Sequence, residues 1–497
     1  MSDNNKHVII LGAGPAGLAT GHEVSAHGGR VTVLERNDFV GGLCRTVHVD
    51  GYRFDLGGHR WFTKNEALND WFRRLLEGEL VDVERISRIY YDGKYFFYPI
   101  RFGDLLRKTG PLTILHAGFA FLWAVFQQAV LPKPVVNMQQ AYCAQFGSKL
   151  YEMFFRQYTE KVWGRPCEEL SSDWVSQRSK GLSIWSVVRE ALVGNKEQLT
   201  SLIDEFMYPR YGYMRVPERM AEDITARGGE IHLQSTVTRV IYHGPNDVEV
   251  RYRRDDGEHS IRGTDVVSTI PLGVLARILE PECNQHVAAV AGSLEFRDLI
   301  TVNLKLRRRQ VSRDTWLYIQ DADILFGRMH EPKNWSRDMV PDDDHTSLVL
   351  ECFCSKGDGI WNMSDDEIQE RCVRDLVDKL KFINDDEVEG ANIIRTRETY
   401  PIYDLEYADK IATINAYLKR FTGVHIVGRG GTFRYNNSDH SIEMGLLLGQ
   451  RLLGHKVDHL AVNTERNYHE IKSGEEPARD SYGNSATAHQ RTGSDAR

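Results

Sequence analysis

The chain has 497 residues, 41% hydrophobic and 27% charged, with a formal net charge of −8 and a pI near 6.2. That length allows roughly two to three domains around a substantial core, and the acidic balance excludes a protein built to grip nucleic acid, which would carry a basic footprint. Seven scattered cysteines without zinc-ligand spacing read as free thiols of a reducing compartment, and no metal site is expected.

In chain order, the start MSDNNK runs straight into a β-branched strand, so no signal peptide is expected and the location is read as cytoplasmic. HVIILGAGPAGLATGHEV then predicts a strand, a glycine turn and an alanine-rich helix. Gly12, Gly14 and Gly17 form G-x-G-x-x-G between the two, with Pro15 and Ala16 inside the motif. The first glycine permits the turn and the second admits a pyrophosphate to the backbone. The third lets helix and strand pack closely, while the helix N-terminus stabilises the anion. RVTVLER follows as a strand whose terminal acid, Glu35, stands 18 residues after Gly17, where ribose hydroxyls would meet it; Arg36 comes next. Strand, helix and acid in register predict a dinucleotide site. Two glycine-pair loops follow, NDFVGGLCRT and YRFDLGGHRWF.

From about 100 to 205 the pattern turns helical and aromatic. LTILHAGFAFLWAVFQQAVL, at 112–131, carries no formal charge over 20 residues. Its length suits a membrane span, but His116, Gln127, Gln128 and Gly118 weigh against one. The reading favours a buried or tunnel-lining helix, with membrane contact as the less favoured alternative. Strands return in EIHLQSTVTRVIYH, which holds Val237, and in DVEVRYRR and TDVVSTIPL. A mixed region, 296–420, alternates strands such as SLVLECFC with helices such as SDDEIQERCVRDLVDKL. Arg307, Arg308 and Arg309 read as a solvated strand end. HIVGRGGTFRY and SIEMGLLLGQRLLG close the fold, and the polar tail 466–497 is expected to be disordered. No internal repeat is visible.

The glycine motif together with ERNDFVGGLCRT and YRFDLGGH resembles the large FAD family that includes amine oxidases, protoporphyrinogen oxidase, phytoene desaturase and UDP-galactopyranose mutase. The resemblance implies FAD as cofactor. It implies an α/β fold: a Rossmann-like FAD-binding domain assembled from 1–100, 206–295 and 421–465, an inserted helical domain at 101–205, and a mixed α+β substrate domain at 296–420. It places Gly41, Gly42, Leu43 and Arg45 along the FAD, with Gly57, Gly58 and His59 near the flavin ring. Val237, Gly428, Arg429 and Met444 complete the cofactor set, the final helix start being expected around Met444 and Gly445. No second G-x-G-x-x-G occurs, which argues against a dedicated NAD(P) domain.

Over roughly 5–465 the chain looks most like the mutases of that family. RISRIYYDGKYFFYP, with Tyr98, resembles the strand pair leading to the nucleotide pocket. FFRQYTEKVWGRPCEELSSDWVSQR supplies Trp163 and Arg178, and TWLYIQDADILFGRMHEPKNWS supplies Trp316, Tyr318 and Arg328. TYP supplies Tyr400, and GRGGTFRYNNSDHS supplies Arg429, Tyr435 and Asn437. The implied substrate is a nucleoside-diphosphate hexose, and the implied reaction is pyranose–furanose isomerisation. In it reduced flavin attacks the anomeric carbon and displaces the diphosphate, with no net redox; NAD(P)H is the candidate external reductant.

Arg178 and Arg328 are the candidate diphosphate clamp, because guanidinium forks hold phosphate in two-point fashion and keep their charge. His59 is the candidate flavin-tuning residue; the tyrosines, tryptophans and Asn437 would line the substrate. Lys305, in TVNLKLRRR, reads as a strand-surface charge. Ile100 and Arg101 depart from the mutase pattern, which has an aromatic and a glutamine beside the base, so nucleotide and sugar stay open. The alternative is an FAD oxidoreductase acting on a hydrophobic substrate, and a third reading is a non-catalytic flavin or lipid-escort protein. The closing loop presents arginines where amine oxidases carry an acidic motif, which favours an anionic ligand. Oligomeric state is not legible.

Overall fold

A computed structural model describes residues 6–98, 100, 102–131, 134–178 and 205–463. The expected tail, Arg101, and the side chain of Arg178 lie outside them.

A five-stranded parallel sheet carries the dinucleotide motif. Its order is Val424–Ile426, Asp265–Ser268, His7–Leu11, Arg30–Leu34, Glu230–His232. The strand His7–Leu11 sits centrally, and its Val8 to Leu11 are inaccessible to solvent, which is why it reads as a continuous apolar run rather than an alternating one. Three separated stretches of chain thus build one sheet. They are fastened by the final helix, Ser438–Leu452, laid along the first, Pro15–Ala26. The backbones nearly touch: a Cβ on Gly445 would lie 2.3 Å from the Ala16 carbonyl oxygen, and one on Gly449 would lie 2.6 Å from Glu23 Cβ.

The second large sheet has seven strands, ordered Val388–Pro401, Phe296–Leu306, Thr346–Cys354, Arg328–His330, Trp316–Ile319, Ser87–Tyr91, Lys94–Phe97. All neighbours are antiparallel except Trp316–Ile319 with Ser87–Tyr91. By sheet membership the hairpin at 87–97 therefore belongs with the 296–420 strands, on the far side of the boundary expected at 100. A four-stranded sheet, Gly257–Gly263, Asp247–Arg254, Thr236–Gly244 and Leu279–Glu280, packs its apolar face beside the parallel one. The described part of 101–205 is helical.

Two expectations need correction. The helix Pro111–Val130 is not buried: only Ala117, Ala120 and Phe121 are, and most of its large apolar residues face outward. The final helix starts at Ser438, not near Met444. Met444 has no accessible surface and its sulfur accepts from Asn436 Nδ2 at 3.0 Å, so its side chain is core and cannot touch a cofactor. The basic run behaves as expected: Arg308 meets Glu387, and the exposed Arg309 pairs with Asp344. All seven cysteines are free thiols.

The helix contact gives a direct prediction. Gly445→Ala forces backbone against backbone and should cost about 1–3 kcal/mol in overpacking, read as a lowered urea midpoint with flavin loss. An unchanged midpoint would mean that the two helices are not in register-critical contact.

Candidate active site

The first helix offers the anion site that the glycine motif predicts. Gly12 turns at φ +100°, and a Cβ on Gly14 would meet nothing within 4 Å, leaving the helix mouth open. The helix N-terminus has no side-chain cap and no acid in its first turn, an arrangement that suits a pyrophosphate. Glu35 is buried and fixed: it accepts the Ala13 N–H at 2.8 Å, the Asn37 N–H at 3.0 Å and Asn37 Nδ2 at 2.7 Å. Asn37 completes this set and was not picked out from sequence. The Gly41 N–H donates to the Ala13 carbonyl at 2.8 Å, bringing Gly42, which Leu43 follows, beside Gly14. The Arg45 guanidinium lies 3.9 Å over the Phe39 ring. Val237 is the second residue of the strand Thr236–Gly244, which follows Ser235, whose N–H donates to the Glu35 carbonyl at 2.7 Å; Arg36 is exposed. Gly428 abuts Ala16. These groups fit an FAD pyrophosphate and ribose.

From this cradle the Gly57–Gly58–His59 loop leads to a second cluster on the seven-stranded sheet. Gly58 lies flat on Trp316, where any Cβ would sit 2.2 Å from the indole ring. Beneath the loop is Glu351, 1% exposed, toward which the Gly58 N–H points at 3.5 Å. Glu351 stands directly opposite Arg328 across two antiparallel strands and accepts its Nη2 at 2.5 Å. The same Nη2 reaches the Tyr400 hydroxyl at 2.5 Å. Burial opposes charge on Arg328, but Glu351 and the surrounding phenolic oxygens more than offset it, so the guanidinium stays charged. Among the described residues the buried Arg328 Nε and Trp316 Nε1 have no hydrogen-bond partner. Two unmet donors on one wall mark a place for a polar ligand.

Aromatic rings close the wall. Tyr400 and Tyr435 stack with centroids 5.5 Å apart, and Trp163 meets both edge-on at 6.4 and 6.2 Å. Tyr98 and Tyr318 are 5.5 Å apart, with Tyr318 next to Trp316 at 6.2 Å. Tyr158 joins Tyr318 at 5.7 Å and was missed from sequence. The structure thus gathers Tyr98, Trp163, Trp316, Tyr318, Arg328, Tyr400 and Tyr435 into one neighbourhood. Arg429 is there too, but as a fastener. Its Nε and Nη2 donate to the Asn436 carbonyl at 2.9 and 2.6 Å, and its Nη1 donates to the Thr399 carbonyl at 2.9 Å, with Tyr400 and Tyr435 flanking it. Asn437 is the N-cap of the final helix, its N–H on His440 Nδ1 at 3.2 Å. Lys305 pairs with Asp50 at 2.8 Å on the strand surface, as expected.

His59 Nδ1 lies 3.1 Å from the Gly57 carbonyl, which only accepts, so Nδ1 carries the proton and Nε2 keeps a lone pair. Burial, with the charges of Arg429 and Arg328, lowers its pKa to about 4. His330, stacked on Trp335 at 4.8 Å, is lowered to about 3 by burial, Arg328 and His59. Both imidazoles are neutral at neutral pH.

The signature of the flavin-containing amine oxidoreductase family matches residues 15–397. The chain belongs to that family. Its cofactor is FAD. It is 25% identical over 258 residues to a probable UDP-galactopyranose mutase of Klebsiella pneumoniae, covering 50% of this chain and 63% of that one. It is 51% identical to the phytoene desaturase of Fusarium fujikuroi over 57 residues, 12% of this chain and 10% of that protein. The chain therefore matches only about a tenth of that curated relative's length. The fold superposes on a crystal structure of reduced UDP-galactopyranose mutase with a TM-score of 0.79 at 19% identity, over 93% and 98% of the two chains. The family makes the chain a flavin-dependent enzyme.

Two predictions come from the buried groups. Removing one partner of a buried ion pair costs about 3–5 kcal/mol, so Glu351→Ala should unfold at much lower denaturant than wild type; an equal midpoint would mean the pair is open to water. For His330, the folded pKa lies below the ordinary 6.5. The unfolded chain takes up a proton as pH falls through 6.5, while the folded chain resists until about 3. Stability is therefore lost over that window. His330→Gln should flatten the loss relative to wild type, and identical pH curves would contradict the assignment.

Proposed function

We propose that this enzyme interconverts the pyranose and furanose forms of a nucleoside-diphosphate hexose, with FAD in its reduced state and no net redox. The observation that carries the reading is Arg328: a buried, charged guanidinium beside the flavin loop, tied on Nη2 and unmet on Nε.

Held by Glu351 and Tyr400, Arg328 presents its remaining edge to a diphosphate, the one leaving group here that needs a fixed cation throughout the reaction. Glu351 holds the guanidinium in place, and its negative charge keeps the wall from trapping product too tightly. Tyr400 and Tyr435 confine the phosphates, while Trp163, Trp316 and Tyr318 exclude water and give the sugar an apolar wall. Tyr98 stands at the end nearest the nucleotide, and Arg178 is proposed as the second cation. Neutral His59 offers Nε2 as an acceptor toward the flavin ring. When bound and reduced, the flavin would supply the nucleophile for the anomeric carbon. NAD(P)H is proposed as its reductant.

The family signature and the exposed apolar helix favour a second reading, an FAD oxidoreductase acting on a hydrophobic substrate. One experiment separates them: a panel of nucleotide hexoses incubated with dithionite-reduced and with oxidised holoenzyme, products resolved by chromatography. The mutase reading expects ring-size isomers from reduced enzyme alone, and Arg328→Lys should lower kcat/KM by about 10²-fold or more. No isomer from any nucleotide hexose, together with flavin reduction by an amine or a polyprenoid, would sink it.

A further inference from the structure

Among the described residues, fourteen large apolar side chains are exposed, and twelve of them fall between 97 and 136. Most belong to the helix Pro111–Val130. Leu112, Leu115, Phe119, Leu122, Trp123 and Phe126 are between 52% and 81% exposed and cover its outer face. Scattered single apolar residues need no explanation, but a concentration on one helix does.

The helix is seated along the body rather than projecting from it. Ala117, Ala120 and Phe121, at its middle, are buried on the helices Met138–Phe146 and Ser148–Phe154. The approach is close: a Cβ on Gly147 would lie 2.7 Å from the Phe121 backbone nitrogen. A helix held at its centre cannot thread a bilayer, although its 20 residues would reach about 30 Å. It can lie in the plane of one.

Local charge indicates which surface it meets. Residues 98–151 hold five basic side chains (Arg101, Arg107, Lys108, Lys133 and Lys149) and one acidic, Asp104, in a chain whose net charge is −8. Asp104 is itself paired with Lys108 at 2.5 Å. A twofold contact between two copies of this face would bring like charges together, and the uncharged stretch 112–131 offers a protein partner no ion pair to set register. Anionic lipid headgroups suit the basic side chains, and acyl chains suit the face.

We propose that the helix Pro111–Val130 docks this enzyme flat on an anionic lipid surface, its outer face in the acyl boundary and the neighbouring Arg107, Lys108 and Lys149 toward the headgroups. The active site stands close behind. Ile114 of this helix shares one apolar cluster with Tyr98, Ile100 and Tyr318. Docking is thus directed at the Tyr98–Tyr318 end of the site, whichever chemistry the flavin performs.

The test is flotation of full-length holoenzyme with vesicles of phosphatidylcholine plus phosphatidylglycerol and with phosphatidylcholine alone. Wild type should float with the mixed vesicles, less so as salt rises. The triple variant Phe119→Ser, Trp123→Ser, Phe126→Ser should bind at least about tenfold more weakly with unchanged flavin absorbance. A second measurement does not rest on that variant folding: brominated lipid should quench wild-type tryptophan fluorescence, and Trp123→Phe should remove most of the quenching. Wild type remaining unbound to both vesicles, equal flotation of the triple variant, or quenching untouched by Trp123→Phe would each overturn the proposal. So would a wild-type dimer that the triple variant splits without any vesicle binding.

Discussion

A guanidinium enclosed beneath the Gly57–Gly58 loop must be matched by a buried carboxylate, and the Arg328–Glu351 pair is the constraint around which the site is arranged. The pair needs two antiparallel strands in exact opposition, so the register of Arg328–His330 against Thr346–Cys354 is fixed by charge as well as by apolar packing. It needs a loop thin enough to pass over it, which is why Gly57 and Gly58 stand there; any Cβ on Gly58 would strike Trp316. It leaves Tyr400 hydrogen-bonded to the same nitrogen, and through Tyr400 it orders Tyr435 and Trp163. Removing the carboxylate would therefore disturb a wall several residues wide.

The closing loop couples this wall to the dinucleotide cradle. Arg429 lies beside the stacked Tyr400 and Tyr435 and binds the carbonyls of Thr399 and Asn436, joining the seven-stranded sheet to the loop that leads into the final helix. That helix then lies on the first helix through Gly445 and Gly449. A discontinuous domain needs such a fastening, because its last segment has no local contacts to hold it. The basic loop that looks in sequence like a second anion site is mostly a strut, and its one well-placed cation is satisfied by backbone.

The dinucleotide half was legible because each of its signals is local. Turn, helix mouth and terminal acid lie within about thirty residues, and their spacing alone predicts the geometry. The substrate half was legible only as residue types matching a family pattern, since Arg328, Trp163 and Tyr400 meet only in three dimensions. Glu351 was missed because it hides in TSLVLECFC, a strand buried along its whole length, where one acid among apolar residues gives no periodic signal. The 111–130 helix was misplaced for the opposite reason: uniform apolarity says a helix avoids water without saying what shields it. Met444 was assigned to the cofactor because the helix start was put two turns late; the true cap, Asn437, lies in a polar loop whose end the sequence leaves ambiguous.

The central claim is that Arg328 is the diphosphate anchor, and a crystal structure of the holoenzyme with uridine diphosphate tests it most directly. The account predicts a phosphate oxygen within hydrogen-bond distance of Arg328 Nε, with Tyr400 and Tyr435 alongside and the nucleoside running toward Tyr98. A diphosphate bound elsewhere, with Arg328 still tied only to Glu351 and Tyr400, would contradict it.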